Sequence, residues 1–434
     1  MHRVYPTCKT EGIVRRLTLR YTSGATMKRR LQILGVLVLF PLLLVFTSCC
    51  SSGRARGIIG GTGTVRWTVM VFLNAANDLD EFSEMNVNQM EQVAGNPNVR
   101  IVVQWKRARP FAPQGSWTGT RRYLIKPDND PNQIRSELVE DMGDGVDMGS
   151  PDTLREFIRW ARANYPAERY VLVIWNHGSG WRSRAALGRG VSFDDQLGTY
   201  IRIWDLPTAI RPTSNDPMMD VLLFDASLMQ MLEVAYECRN VARIIVGSEE
   251  SPPGEGYPYH EILAPIVADS DMAPVEWARQ IPDRFVAWYA ANYPFYTNIT
   301  QSAVDTSKLD AVASALDLFA ESLINKRTLY LNALQNARQN AQSYSSYPEY
   351  RDLWHAVDLI KLYTNDPELI QRGNALQSAL QQAIIANNHG NNNRVRYSYG
   401  LSIYFPSAGE YLGRYNNTAL SRATRWDEWL QVAP

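Results

Sequence analysis

His177 ends an apolar run, "RYVLVIWNHG" at 169–178, and is followed by "SGW", so that glycines lie on either side of Ser179. A histidine delivered to a strand end among glycines is poised for proton transfer, because the small residues let a substrate backbone come close. Ser227 closes a second run of the same kind, "DVLLFDAS" at 220–227, with Asp225 two residues ahead of it. A hydroxyl and an imidazole at strand ends are the parts of nucleophilic catalysis. A third run, "ARIIVGSEE" at 242–250, ends on Glu249 and Glu250, which either add negative potential to the same cleft or are solvated strand-end charges. Of the other histidines, His355 reads as a packing or surface residue on a helix. His389 reads as solvated in an Asn-rich loop, His2 falls in the N-terminal lead, and His260 is ambiguous.

Other chemistries lack their residues. There is no HExxH, no CxxC and no His, Cys or Glu pair at ligand spacing, so neither a metal nor another cofactor is expected. Glycine-rich phosphate loops are missing. The serine is not on a GxSxG elbow, since Asp225 and Met229 stand where the glycines should be. The 44 basic residues balance the 44 acidic ones, which argues against a nucleic-acid partner.

The elements that must hold these residues read as alternating strands and helices. "WTVMVFLNA" (67–75), "VRIVVQWKR" (99–107), 169–178, 220–226 and 242–250 are continuous apolar runs. Helical stretches at 79–94 and 150–165 fall among them, the latter opened by a Ser-Pro cap. Such runs predict a mainly parallel sheet buried on both faces, an α/β fold in which ligands bind beyond the carboxyl ends of the strands. "RRYLIK" (121–126) reads as a hairpin partner. "LMQMLEVAYE" reads as a helix starting directly after Ser227, with Leu228, Met231, Leu232 and Ala235 as its buried stripe. Long helices at 272–293, 307–342 and 364–386, a polar loop at 386–396, a late strand at 397–406 and a closing helix at 425–433 make a mostly helical C-terminal region. The expected organisation is a lead and signal at 1–49, a Gly/Ser-rich tether at 50–64, a catalytic-type domain at 65–268 and the C-terminal region at 269–434.

The N-terminal part looks like an export signal. Lys28-Arg29-Arg30 precede sixteen uncharged residues and then Thr47-Ser48-Cys49, a lipobox-like ending that makes Cys49 the expected lipidated residue of a membrane-anchored bacterial lipoprotein. Met27 is then the expected start. Of four cysteines only Cys238 lies in the folded part, so no disulfide framework is expected.

A histidine about 50 residues upstream of a nucleophile, on a parallel sheet, is the caspase spacing. Taken in order, "WTVMVFLNAANDLD", "YVLVIWNHGSGW", "VSFDD", "LLFDASLMQMLEVAYE", "VGSEESPPGEGYPY" and "YGLSIYFP" give a chain that resembles the clostripain family of cysteine peptidases, relatives of caspases and gingipains. The resemblance implies a caspase-like α/β/α sandwich and preference for Arg or Lys before the scissile bond. It implies His177 as the catalytic histidine and Asp225 as the base of the S1 pocket. Ser227 falls where the family carries its nucleophilic cysteine. Backbone N–H groups at Gly178 and 227 are the natural oxyanion donors. "RSRAALGRG" (182–190), with Arg182, Arg184 and Arg189, resembles the family's self-cleavage loop, or is an ordinary basic surface loop. Some relatives use calcium. With serine in place of cysteine the expected outcome is a peptidase fold of little or no turnover that still binds basic peptides. A working serine variant, a Cys→Ser change in an active enzyme, and a non-catalytic peptide-binding surface protein are the alternatives.

Overall fold

The computed structural model describes residues 65–181, 190–344 and 347–434. The described residues fall in one compact unit. Its strands, in chain order, are β1 (Trp67–Ala75), β2 (Val99–Arg107), β3 (Gly119–Leu124), β4 (Glu137–Gly143), β5 (Arg169–Trp175), β6 (Val191–Asp194), β7 (Thr199–Ile201), β8 (Met219–Asp225), β9 (Ala242–Gly247), β10 (Thr300–Asp305), β11 (Ser343–Tyr344), β12 (Tyr347–Asp352), β13 (Ile384–His389) and β14 (Ser402–Tyr404). Nine of them make one sheet in the order β13-β10-β9-β8-β5-β1-β2-β3-β4. The five central strands, the apolar runs of the sequence, are parallel. The strands on either side join antiparallel.

The strand period of two sends alternate side chains to opposite faces. Met70, Phe72, Leu172, Ile174, Leu222 and Phe224 enter one core. Val69, Val71, Val171, Val173, Val221 and Leu223 enter the other. Leu154, Phe157 and Ala161 of the helix Pro151–Asn164 cover the first face, together with the helix Leu309–Lys326. The helix Asp80–Val93 and the nineteen-residue helix Pro274–Asn292 cover the second. The result is a three-layer α/β/α sandwich. Ser150 caps its helix as the sequence implied, its side chain accepting from the Asp152 N–H.

Several expectations change. Residues 227–231 are not helical: the helix after β8 is only Leu232–Glu237. The polar stretch expected as a loop begins with β13, an edge strand antiparallel to β10. Both β10 and β13 lie past residue 268, so the expected domain boundary runs through the main sheet. The region expected as one long helix over 307–342 is two, Leu309–Lys326 and Leu331–Asn340. The late strand, β14, joins β11 and β12 in a separate three-stranded sheet. Cys238 is buried and unpaired, with its thiol pKa pushed up by burial and by Glu237. Among the described residues no helix is long and apolar enough to cross a membrane, and no cluster of His, Cys, Asp and Glu could hold a metal. Cys49 with its signal and tether, and the basic residues Arg182, Arg184 and Arg189, lie outside the described residues.

Candidate active site

The register of two parallel strands brings the site together. In the β5–β8 pair Trp175 lies opposite Asp225, so His177 and Ser227, each two residues further on, leave the sheet level with one another. Neighbouring strands are about 4.8 Å apart, within reach of two side chains. His177, Ser227, Asp225, Leu79, Pro252 and Gly254 are among the residues lining a cavity of about 340 Å³ at this sheet edge.

A carboxylate that sequence reasoning missed adjoins the imidazole. Asp78 Oδ1 lies 2.5 Å from His177 Nε2. Asp195 is close as well: burial raises its pKa, with Asp78 and Asp194 adding to the rise and His177 opposing it. Both acids are carried by segments that buried asparagines tie down. Asn176 accepts from the Phe193 N–H at 2.7 Å and donates to the carbonyls of Asn74 and Phe193. Asn74 and Asn77 also donate to Phe193 O, and the Asp195 N–H reaches Ala76 O at 2.9 Å. Behind them Lys106 pairs with Asp194 at 2.6 Å, with neither side chain exposed. The amides so used can be seen in "FLNAAND" and "WNHG", but their convergence depends on β1 and β5 being neighbours.

The segment 226–231 is not helical: it bends at Ala226 and turns at Ser227 and Leu228. Leu228 has φ +62°, an unusual conformation for a bulky residue. Its N–H donates to Glu250 O at 3.3 Å, and the Gln230 N–H donates to Ser248 O at 3.1 Å. Strain of this kind concentrates where geometry is functional. Gly178 sits so close that an added Cβ would be 2.4 Å from Ser227 O. Ser179 N–H bonds to Gly190 O, and the isolated bridge there pairs Gly178 with Val191. Among the described residues, neither the Gly178 nor the Ser227 N–H donates to a backbone carbonyl.

Asp225 is buried at the cavity wall. The Tyr257 N–H reaches both its oxygens at 3.1 Å, and the Tyr259 hydroxyl donates to Oδ2 at 2.8 Å. Burial raises its pKa to about 7 against the pull of these two donors. Gly256, at φ +64°, permits the approach: a Cβ there would lie 2.8 Å from each carboxylate oxygen. Tyr289 donates to Gly256 O at 2.7 Å and secures the loop.

Glu249 and Glu250 do not line this cavity, contrary to the expectation that they add charge to it. β9 stops at Gly247, and the chain then turns their side chains away. Glu249 accepts from the Gly400 N–H at 3.0 Å, and burial next to Asp352 raises its pKa well above the carboxylate range. Glu250 accepts from the Ser251 N–H at 2.8 Å and from Asn298 at 3.2 Å.

A doubly covered, mainly parallel sheet with a histidine and a small nucleophile-type residue at adjacent strand ends is a caspase-like peptidase scaffold. Residues 71–432 match the clostripain family, and the chain belongs to it. Clostripain from Hathewaya histolytica is 28% identical over 223 residues, an alignment covering 46% of this chain and 42% of that protein, so the match spans less than half of this relative. The solved structure of an inactive zymogen C11 protease from Parabacteroides distasonis, 21% identical, superposes with a TM-score of 0.62 over 83% of this chain and 99% of that one. A secreted C11 cysteine protease from Bacteroides thetaiotaomicron, in complex with an irreversible peptide inhibitor, is 21% identical and gives 0.64 over 84% and 99%. At such identity the two structures speak for the fold.

Proposed function

We propose that this clostripain-family chain is an exported, lipid-anchored peptidase homologue whose cleft takes an Arg or Lys side chain, with turnover impaired because Ser227 stands in place of the nucleophilic cysteine. The observation that carries the reading is Asp225. It is a single carboxylate buried behind Ser227, held by Tyr257 and Tyr259 and without a cation among the described residues. A guanidinium or ammonium entering the cavity supplies that partner, and a buried charge gains most from being paired. The peptide carbonyl next to it then lies at Ser227, with the N–H groups of Gly178 and Ser227 as oxyanion donors.

In the reaction this arrangement supports, His177 takes the proton from the nucleophile as it attacks the carbonyl. It then returns the proton to the leaving amine, and water releases the acyl group. A thiol does this readily, whereas a hydroxyl needs a well-oriented base. One observation favours a second reading, slow serine-type turnover: Asp78 beside His177 Nε2 would orient the ring and leave Nδ1 for Ser227. Partners are Arg- or Lys-containing peptides, and the "TSCC" ending of the signal supports lipidation at Cys49. The test compares the parent with Ser227→Cys on an Arg-containing reporter peptide. Gain of Arg-directed cleavage, lost again on His177→Ala, is expected. A Ser227→Cys protein that binds no Arg peptide and cleaves none would sink the proposal.

A further inference from the structure

Four cationic side chains are buried among the described residues: Lys106, Arg107, Arg122 and Arg351. Three of them carry a carboxylate, Asp194, Asp80 and Glu140 respectively. Arg351 has none within ion-pair distance among the described residues, although it is only 9% exposed. Its Nη1 donates to Ala341 O at 2.7 Å and to Gln339 O at 3.4 Å, the last carbonyls around the helix Leu331–Asn340, while Nε has no hydrogen-bond partner. Burial lowers its pKa to about 10, with Arg338 adding to the fall and Glu349 and Glu410 opposing it at longer range. Burying a charge without a counter-charge is costly, and proteins retain such groups chiefly where something else supplies the partner.

Arg351 lines a second cavity, of about 590 Å³, formed between the C-terminal region and the end of β9. Arg394 stands exposed on its wall and adds positive charge. His355 lines it too. Its Nδ1 accepts from the Gln342 N–H at 2.9 Å, so the neutral ring carries its proton on Nε2 and is a donor. Tyr397 stacks on that imidazole at 4.2 Å, giving the cavity a flat apolar wall. The acid in the lining, Glu250, has its carboxylate engaged by the Ser251 N–H and Asn298. The space is far larger than a bare ion requires and falls in the range of organic-ligand sites.

We infer that this cavity is a carboxylate-binding site, in which Arg351 receives the acidic group of a ligand whose organic body lies along Tyr397 and His355. The carboxylate comes either from an acidic residue of a peptide or from a free small carboxylic acid. The site is separate from the Asp225 cleft and does not depend on Ser227 being catalytic.

Calorimetric titration and thermal shift of the full-length chain test this with three probes: N-acetyl-Ala-Glu-Ala-amide, its Gln counterpart, and glutarate. Saturable binding of the Glu tripeptide and none of the Gln one is expected, with affinity roughly tenfold or more weaker in Arg351→Met. Binding should be unchanged in Asp225→Asn, because the probes contain no cation for that cleft. If glutarate binds as well as the tripeptide, the ligand is a free acid and the site stands. If only the tripeptide binds, the source is a peptide. Arg351→Lys, which keeps the charge but loses the planar fork, carries the comparison should the Met variant not fold. Absence of saturable binding by either carboxylate, or binding that survives both substitutions, overturns the inference.

Discussion

Binding of a cation beside Asp225 must be coupled to protons. In the free protein the carboxyl has a pKa of about 7, raised by burial. A guanidinium alongside favours the ionised form and draws the value back towards or below the ordinary carboxylate range. Between the two values the free site holds a proton that the bound site releases, so affinity rises with pH through 7 and levels off above it. The fraction of free sites already ionised sets the size of the effect. At pH 8 nearly all are, while at pH 5 about one in a hundred is, so affinity should fall by about 100-fold, or about 2.7 kcal/mol, between the two.

Agmatine is a suitable probe, since its guanidinium does not titrate in this range. Calorimetry in buffers of different ionisation heat should count close to one proton released near pH 5.5 and none above pH 8. The measurement belongs on His177→Ala, which removes the other titratable ring lining the cavity. Asp225→Asn, which can still accept from Tyr257 and Tyr259, should bind weakly and without pH dependence. Stability runs the other way. Because the folded-state pKa lies above the unfolded one, the folded state holds the extra proton between about 4 and 7, and stability is lost as pH rises through that window. Asp225→Asn should therefore be at least as stable as the parent at pH 8. Affinity that stays flat from pH 5 to 8, or that survives Asp225→Asn, would refute the assignment.

Gly256→Ala should lose roughly 1–3 kcal/mol of stability and most agmatine affinity, because the new Cβ meets both Asp225 oxygens from a left-handed backbone; an unchanged urea midpoint speaks against it. In the Ser227→Cys background, Asp78→Asn should change kcat by less than about tenfold at unchanged melting temperature, since a thiol needs little orientation of its base; a loss of roughly a hundredfold or more would make Asp78 a full partner in the chemistry. Cys238 should resist alkylation in the native protein and react only on unfolding, because burial holds its thiol protonated. Labelling of the native state at the rate of an exposed thiol contradicts that reading.

The parallel sheet and the pairing of His177 with Ser227 were legible because uninterrupted apolar runs ending in polar residues have few other uses. What escaped depends on contacts far apart in sequence. An apolar i, i+3, i+4, i+7 pattern suggested a helix from Leu228, yet Leu228 and Gln230 hydrogen-bond to Glu250 and Ser248 and Met231 bridges to Ser402, so burial without helical turns produced the same pattern. Glu249 looked like a cleft residue from its place at a strand end. Its partner, the Gly400 N–H, lies 151 residues away and turns it inward. β4, "ELVEDMG", is almost wholly exposed, and its charges hid it as they commonly do in edge strands. Asp78 sits in an ordinary polar loop, and only the asparagine contacts from Asn74, Asn77 and Asn176 mark that loop as fixed.

The non-helical segment after Ser227 changes the chemistry more than the topology does. A nucleophile at a helix N-terminus is made more acidic by the dipole, but that influence fades within a turn, and the helix here begins only at Leu232. Residue 227 therefore has no such help, and any activation must come from His177. A thiol is acidic enough to give up its proton to a neighbouring imidazole at a cost that a modest field can offset. A serine hydroxyl lies far higher and can lose its proton only as it attacks, to a base already aligned. The carboxylate of Asp78 thus matters little to a cysteine at this position and a great deal to a serine, and its exposed place on the loop after β1 makes it a weak support for the harder reaction. The proposed binding of a cationic side chain at Asp225, by contrast, does not depend on which atom stands at 227, so the binding and the turnover of such a peptide are separate tests of the proposal.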